Sequence, residues 1–164
     1  MAADSAPRVP AARSLVMFQE HLARGLWADR HLQALASDPT AVGPFMSIFE
    51  CTRDFQQQQQ RAVAANDSAK LRQAATRNRV CLCAAVCPQE TTEWLQCARA
   101  AARALRAAKK GGGASSSTAT THFAPCEAQR RRLEACTQWE STRLLHAAVL
   151  PKDGTPDGPI WSVS

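Results

Sequence analysis

Apolar residues recur at helical spacing along most of the chain, with turn residues between the runs. Between residues 13 and 36, Leu15, Phe18, Leu22, Leu26 and Trp27 share one stripe, which predicts a single amphipathic helix. Asp38-Pro39 stops it and Gly43-Pro44 marks a second break. Phe45, Phe49, Cys51 or Thr52, and Phe55 form a second stripe, predicting a helix over 44–65 with Pro44 in its first turn. Asn66-Asp67-Ser68 reads as a turn and an N-cap for a third helix over 68–86. Pro88 has no backbone donor and disfavours helical geometry at Cys87. A break is expected there, with Pro88 opening a fourth helix over 88–110. Lys109 and Lys110 suit its C-terminus, and Gly111-Gly112-Gly113 follows. Pro125 opens a fifth helix over 125–149 and Pro151 closes it. Residues 1–12 are rich in Ala and Pro and read as a disordered start. Residues 111–122 read as a flexible loop, and 151–164 as an extended, irregular tail in which Ile160 and Trp161 are apolar.

Composition sharpens this all-α reading. The apolar fraction is 45%, but much of it is Ala; aromatics make up 5%, and there is no Tyr. A chain of 164 residues with so thin a core gains from covalent staples. The glutamine run Gln56 to Gln60 is compatible with helix and carries no chemistry. The net charge of +6 fits RNA, an acidic protein or an anionic lipid surface, and discriminates among none of them. No run approaches the length and apolarity of a transmembrane helix. Asp4 interrupts any secretory signal, and Arg8, Arg13 and Arg24 are set against Asp4, two early prolines and Glu20 as a mitochondrial presequence.

Seven cysteines allow disulfides, a metal site or buried thiols. Four of them form two equal spacings, Cys87 to Cys97 and Cys126 to Cys136, each with nine residues between. On an α-helix ten positions advance about 15 Å and turn roughly 80° short of a full turn. The two cysteines of one segment therefore reach neither each other nor a shared zinc, since a disulfide needs Cα atoms within about 7 Å. Two such helices placed antiparallel solve the problem: Cys87 meets Cys136 and Cys97 meets Cys126. The register also puts Trp94 opposite Gln129, and Trp139 beyond the outer rung near Ala84. The fifth helix overshoots that rung, so Leu144 and Leu145 need cover, with the 68–86 helix the nearest candidate and the N-terminal helices behind it.

These segments resemble the twin C-x9-C motif of the coiled-coil-helix-coiled-coil-helix family. The likeness covers residues 84–140 and includes an apolar residue three before each second cysteine, Trp94 and Leu133. The connector of 28 residues from Cys97 to Cys126 is longer than the family's usual one, an insertion that costs little in loop entropy. The resemblance implies a disulfide-stapled antiparallel hairpin over 87–150, with residues 13–86 as an N-terminal helical extension. It also implies oxidation by the disulfide relay of the mitochondrial intermembrane space. Family members are often non-catalytic subunits or assembly factors of respiratory complexes, and one class sits in the mitochondrial small ribosomal subunit. The expected role is a structural subunit of a respiratory-chain or ATP synthase complex, in the intermembrane space or on that face of the inner membrane. The ribosomal subunit, with rRNA as a partner, and a metallochaperone or assembly factor for cytochrome oxidase are the alternatives.

Smaller features weigh on these alternatives. Cys81-Leu-Cys83 precedes Cys87-Pro88 much as vicinal Cu(I)-binding thiols precede the same motif in the copper chaperone of cytochrome oxidase. Soft thiolates select Cu(I), but residues two apart on a helix point in nearly opposite directions. Cys81 and Cys83 are thus poorly placed copper candidates, and buried or unpaired thiols are the competing reading. An extra disulfide, for example to Cys51, is open to them, but with seven cysteines at least one lacks an intrachain partner. Arg130, Arg131 and Arg132, with the stripe Arg99, Arg103, Arg106, Lys109 and Lys110, make a basic side for RNA or an acidic partner. Trp161 is a candidate anchor for a protein partner. His21, His31, His122 and His146 form no ligand pattern, and His146 near a helix end suits the dipole. No phosphate loop, nucleophile–base motif or zinc-protease signature is present, so no catalysis and no cofactor are expected.

Overall fold

A computed structural model describes residues 8–111 and 126–149. The described residues form six helices: α1 (Arg13–Ala23), α2 (Asp29–Ser37), α3 (Val42–Ala64), α4 (Ser68–Val86), α5 (Pro88–Lys110) and α6 (Glu127–Val149). Among the described residues there is no strand, and no helix is long and apolar enough to cross a membrane. The irregular tail with Ile160 and Trp161, the loop over 112–122, and residues 1–7 of the disordered start lie outside the described residues. Residues 8–12 belong to the fold: Val9 and Ala12 are buried.

The first predicted helix is two helices. The apolar stripe from Leu15 to Trp27 runs on without a gap, but the backbone does not. Gly25 takes φ +65°, the left-handed region that L residues avoid. Its N–H donates to Leu22 O and the Leu26 N–H donates back to His21 O. This pair of hydrogen bonds closes α1 in a glycine C-cap of the Schellman type. The turn then throws Leu26 outward, 51% exposed, and swings Trp27 inward against Phe18, with ring centroids 5.0 Å apart.

The same device ends α3, with Asn66 in place of glycine. Asn66 has φ 50°, and the N–H groups of Asn66 and Asp67 donate to Val63 O and Ala62 O. Asp67 then caps α4, its carboxylate accepting from the Lys70 N–H at 3.0 Å. That N–H holds the Asp67 carboxyl below its ordinary range. Helices α3 and α4 therefore fold back as a tight antiparallel hairpin. A second antiparallel hairpin, α5 with α6, is stapled by Cys87–Cys136 and Cys97–Cys126.

The core lies where α1 meets both hairpins. Leu15, Phe18, Leu35, Ile48, Leu82, Leu133 and Leu144 are fully buried. Leu144 is fully buried, and α6, which carries it, packs on α1, α2 and α5 more than on α4, the 68–86 helix. The reason is visible on α6, whose buried stripe is Leu133, Thr137, Ser141, Leu144 and Ala148. Small residues at 137 and 141 let α1 approach closely. The Ala12 N–H donates to Thr137 Oγ1 at 3.0 Å, and the hydroxyls of Ser14 and Ser141 are hydrogen-bonded. At the far end Arg143 donates to Thr40 Oγ1 at 2.9 Å and to Glu140, clamping the α2–α3 link onto α6.

A left-handed residue with no neighbour near its missing Cβ isolates the backbone effect. Nothing lies within 4 Å of a Cβ built on Gly25. Gly25→Ala is expected to lower stability by about 1–2 kcal/mol through strain alone. Urea unfolding followed by far-UV circular dichroism checks it, and an unchanged midpoint would deny the glycine its role.

Candidate functional site

The chemistry-bearing residues of this chain are its cysteines and its arginines. Three disulfides link six of the seven cysteines. Cys87–Cys136 and Cys97–Cys126 span Cα separations of 6.2 Å and 5.7 Å, and Cys51–Cys81 spans 5.8 Å. All three fall within the range a disulfide bridges. By loop closure the widest loop, Cys87–Cys136, contributes up to about 4 kcal/mol, and the shorter Cys51–Cys81 and nested Cys97–Cys126 loops less.

Local sequence places each staple. Cys87 ends α4, its N–H donating to Cys83 O at 2.7 Å, and it is also the residue before Pro88 at the start of α5. Its carbonyl accepts from the Thr91 N–H at 3.0 Å and from the Thr91 hydroxyl at 2.7 Å. The Cys87–Cys136 bond is therefore anchored at the corner between two helices. Cys51 and Cys81 sit on facing helices of the α3–α4 hairpin, and their 30-residue separation is centred on Asn66. That symmetry was available in the sequence once Asn66 was read as the turn.

Cys81 and Cys83 do not come together. Cys81 is bonded to Cys51, while Cys83 is a fully buried free thiol on another face of α4. Burial pushes the Cys83 thiol up to about 12, with Arg79 a smaller opposing influence. A thiol so held is neither a nucleophile nor an open ligand at neutral pH. Among the described residues one group has metal-ligand spacing, Cys87, Glu90 and Cys136, but both sulfurs are consumed by their disulfide.

Next to Cys51 lies a polar cluster that the helical pattern did not flag. Gln19 of α1 is buried, and its Nε2 donates to Thr52 Oγ1 at 3.1 Å and to Asn78 Oδ1 at 2.8 Å. Asn78 Nδ2 donates back to Gln19 Oε1 at 2.9 Å. Three helices are thus keyed together by one side chain. An apolar stripe records what a helix buries but not which polar residue finds partners 33 and 59 positions away.

The two basic features behave differently. Arg130 grips Glu127 with two hydrogen bonds, 2.9 Å and 2.8 Å, and reaches Glu134 at 2.9 Å. Arg131 donates to Glu127 at 3.0 Å, and Arg132 pairs with Glu93 of α5 at 3.5 Å. The Arg130 hydrogen bonds, with those of Arg131, hold the Glu127 carboxyl down at about 2. Their counter-charges are thus internal. Among the described residues, the stripe from Arg99 to Lys110 has no such partners. Trp139 stands out from α6 at 71% exposure. A cleft of about 520 Å³ opens between residues 8–11 and the start of α6, floored by Trp94 and edged by Arg79, Arg130 and Glu134. Its lining offers binding groups and no nucleophile–base pair.

No protein-family model matches the chain, and no curated protein or solved structure is similar to it. The likeness to the twin C-x9-C proteins rests on the spacing and pairing of four cysteines.

Native protein at pH 8 is expected to resist iodoacetamide without reductant, and in urea to take up one equivalent, at Cys83. Because the folded thiol titrates near 12 and an ordinary one at 9.0, its share of stability is full below pH 9 and is lost as pH rises from there to about 12. Urea midpoints at pH 8 and about 10.5 should therefore differ more for the native chain than for Cys83→Ala. Separately, Gln19→Ala removes both hydrogen bonds to Asn78 and the one that Thr52 accepts, and should cost about 1–3 kcal/mol, whereas Glu20→Ala on the exposed face should cost little. Equal losses in the two variants would contradict the role given to Gln19.

Proposed function

We propose that the chain is a non-catalytic structural subunit of a large mitochondrial assembly, a respiratory-chain or ATP synthase complex in the first place. The observation that carries this reading is the pair of equal cysteine spacings, closed as Cys87–Cys136 and Cys97–Cys126. In this proposal the intermembrane-space relay forms those bonds after import, and the protein stays on that side of the inner membrane. The cysteines are staples, and contacts to other subunits fall to surfaces outside them. Trp139, with Met46 and Phe49 on α3, supplies exposed large apolar side chains of the kind that anchor protein interfaces. The metallochaperone alternative loses ground because its working thiols, Cys81 and Cys83, are bonded away and buried respectively.

The small ribosomal subunit stands as the second reading, favoured by the uncompensated charge on α5. Tagged protein from mitochondria, run on a native gel with and without RNase and identified by mass spectrometry, separates the two. Migration with an inner-membrane complex, insensitive to RNase, is the expected result. Sedimentation with ribosomal proteins, abolished by RNase, selects the second reading, and migration as a monomer removes both.

A further inference from the structure

The C-terminal half of α5 is unlike the rest of the surface. Cys97–Cys126 is the last staple of the hairpin, and α6 starts only at Glu127. From Ala98 to Lys110, α5 runs on past that rung for about 20 Å. Residues 94–126 contain five Lys or Arg and no Asp or Glu, so this stretch holds five of the six net positive charges of the chain. Among the described residues none of the five has an ion-pair partner.

Helical geometry gathers the charges. At about 100° per residue, Arg99, Arg103, Arg106 and Lys110 fall within about 60° of arc over some 16 Å of axis, with Lys109 at the edge. All are exposed. Of the partly or wholly buried residues, Ala98, Ala101, Leu105 and Ala108 lie on the opposite side, and the half-buried Ala102 lies between Arg106 and Lys109. Like charges at i,i+3 and i,i+4 repel along the whole row. A helix that keeps such a row without one acidic neighbour is complementary to a regular line of negative charge.

We propose that this face of α5 docks on the phosphate backbone of a nucleic-acid duplex, without reading base sequence. Three observations select that partner. The exposed neighbours of the cations are alanines, Ala100, Ala104 and Ala107, so the face is slim and carries no large apolar anchor of the sort a stable protein interface or membrane insertion uses. No aromatic residue follows Trp94 on α5, so single-stranded bases have nothing to stack on. Three of the four stripe cations are arginines, whose planar forks match phosphate oxygens. The inference deepens the second reading above, the ribosomal one, whose surroundings contain duplex RNA, and it does not bear on the first.

The test uses the full oxidised chain and fluorescence anisotropy with labelled duplex DNA and duplex RNA of about 24 base pairs and unrelated sequences. Four phosphate contacts predict an affinity that falls about 100-fold between about 50 and 200 mM salt, equally for different sequences. The variant Arg99→Gln/Arg103→Gln/Arg106→Gln/Lys110→Gln should lose most of the binding and nearly all of the salt slope. Arg130→Gln/Arg131→Gln/Arg132→Gln should keep both. Circular dichroism and the single-thiol count establish that each variant is folded, since the altered side chains are exposed. The DNA and RNA arms tell which duplex is preferred, and binding to either supports the proposal. It is overturned if neither duplex binds at low salt, or if the two variants lose affinity alike. Tighter binding to poly-glutamate or to vesicles of anionic lipid than to both duplexes overturns it as well. The native-gel result for the host assembly is read independently, so failure here leaves the scaffold role standing.

Discussion

Pro88 has no N–H to give, so the helix that begins at Ser68 must end at Cys87 and a new one must start at once. The Cys87–Cys136 bond is fastened at that corner. It ties the junction of α4 and α5 to the middle of α6, and so decides how far α6 projects past the stapled hairpin. The half of α6 before Cys136 lies along α5. The half after it has no hairpin partner and becomes the platform for α1, α2 and the Thr40 link. The N-terminal helices are therefore held by a surface whose existence depends on where one disulfide falls.

The interior that results is sparing in hydrocarbon and uses small polar groups as keys. Thr137 and Ser141 are fully buried yet hydrogen-bonded, which removes the cost of burying a hydroxyl and lets α1 lie close. Gln19 performs the same task between α1, α3 and α4. Such contacts add modest net stability but penalise any shift of register, because a slipped helix would leave several buried polar atoms unpaired. With few aromatics to enforce shape, three disulfides and this polar interlock together specify one packing.

Charge follows the same division between what is internally used and what is left over. The arginines of the α6 start are hydrogen-bonded to Glu127 and Glu134 and ion-paired with Glu93, stiffening the hairpin. Those on the α5 arm lie beyond the last rung, where no acidic residue is near in sequence. Run-length in the sequence would rank Arg130, Arg131 and Arg132 as the stronger patch. Their glutamates at i−3, i−4 and i+4 reverse that order, a signal already present in the sequence and readable as helix pairing.

Much of the fold is local and was legible as such. Asp67 caps α4, Pro88 opens α5 and Lys110 with Gly111 closes it, each through interactions within four residues. The α3 start lies two residues before its predicted place, because Pro44 is tolerated anywhere in a first turn. The break at Gly25 escaped because an apolar stripe reports side-chain direction, while the break lies in a backbone dihedral. Equal spacings and a turn at Asn66 contain the registers of both hairpins, since antiparallel pairing is symmetric about its connection. By itself, then, the sequence determined the helices from α3 onward, the corner at Cys87 and the all-α, stapled class. Tertiary structure alone decided that Gln19 would bridge three helices, that Thr137 would receive Ala12 across 125 residues, and that Cys83 would be the thiol left over. Such choices depend on which surfaces meet at long range, and that is set by the packing of whole helices and by nothing within reach of a local pattern.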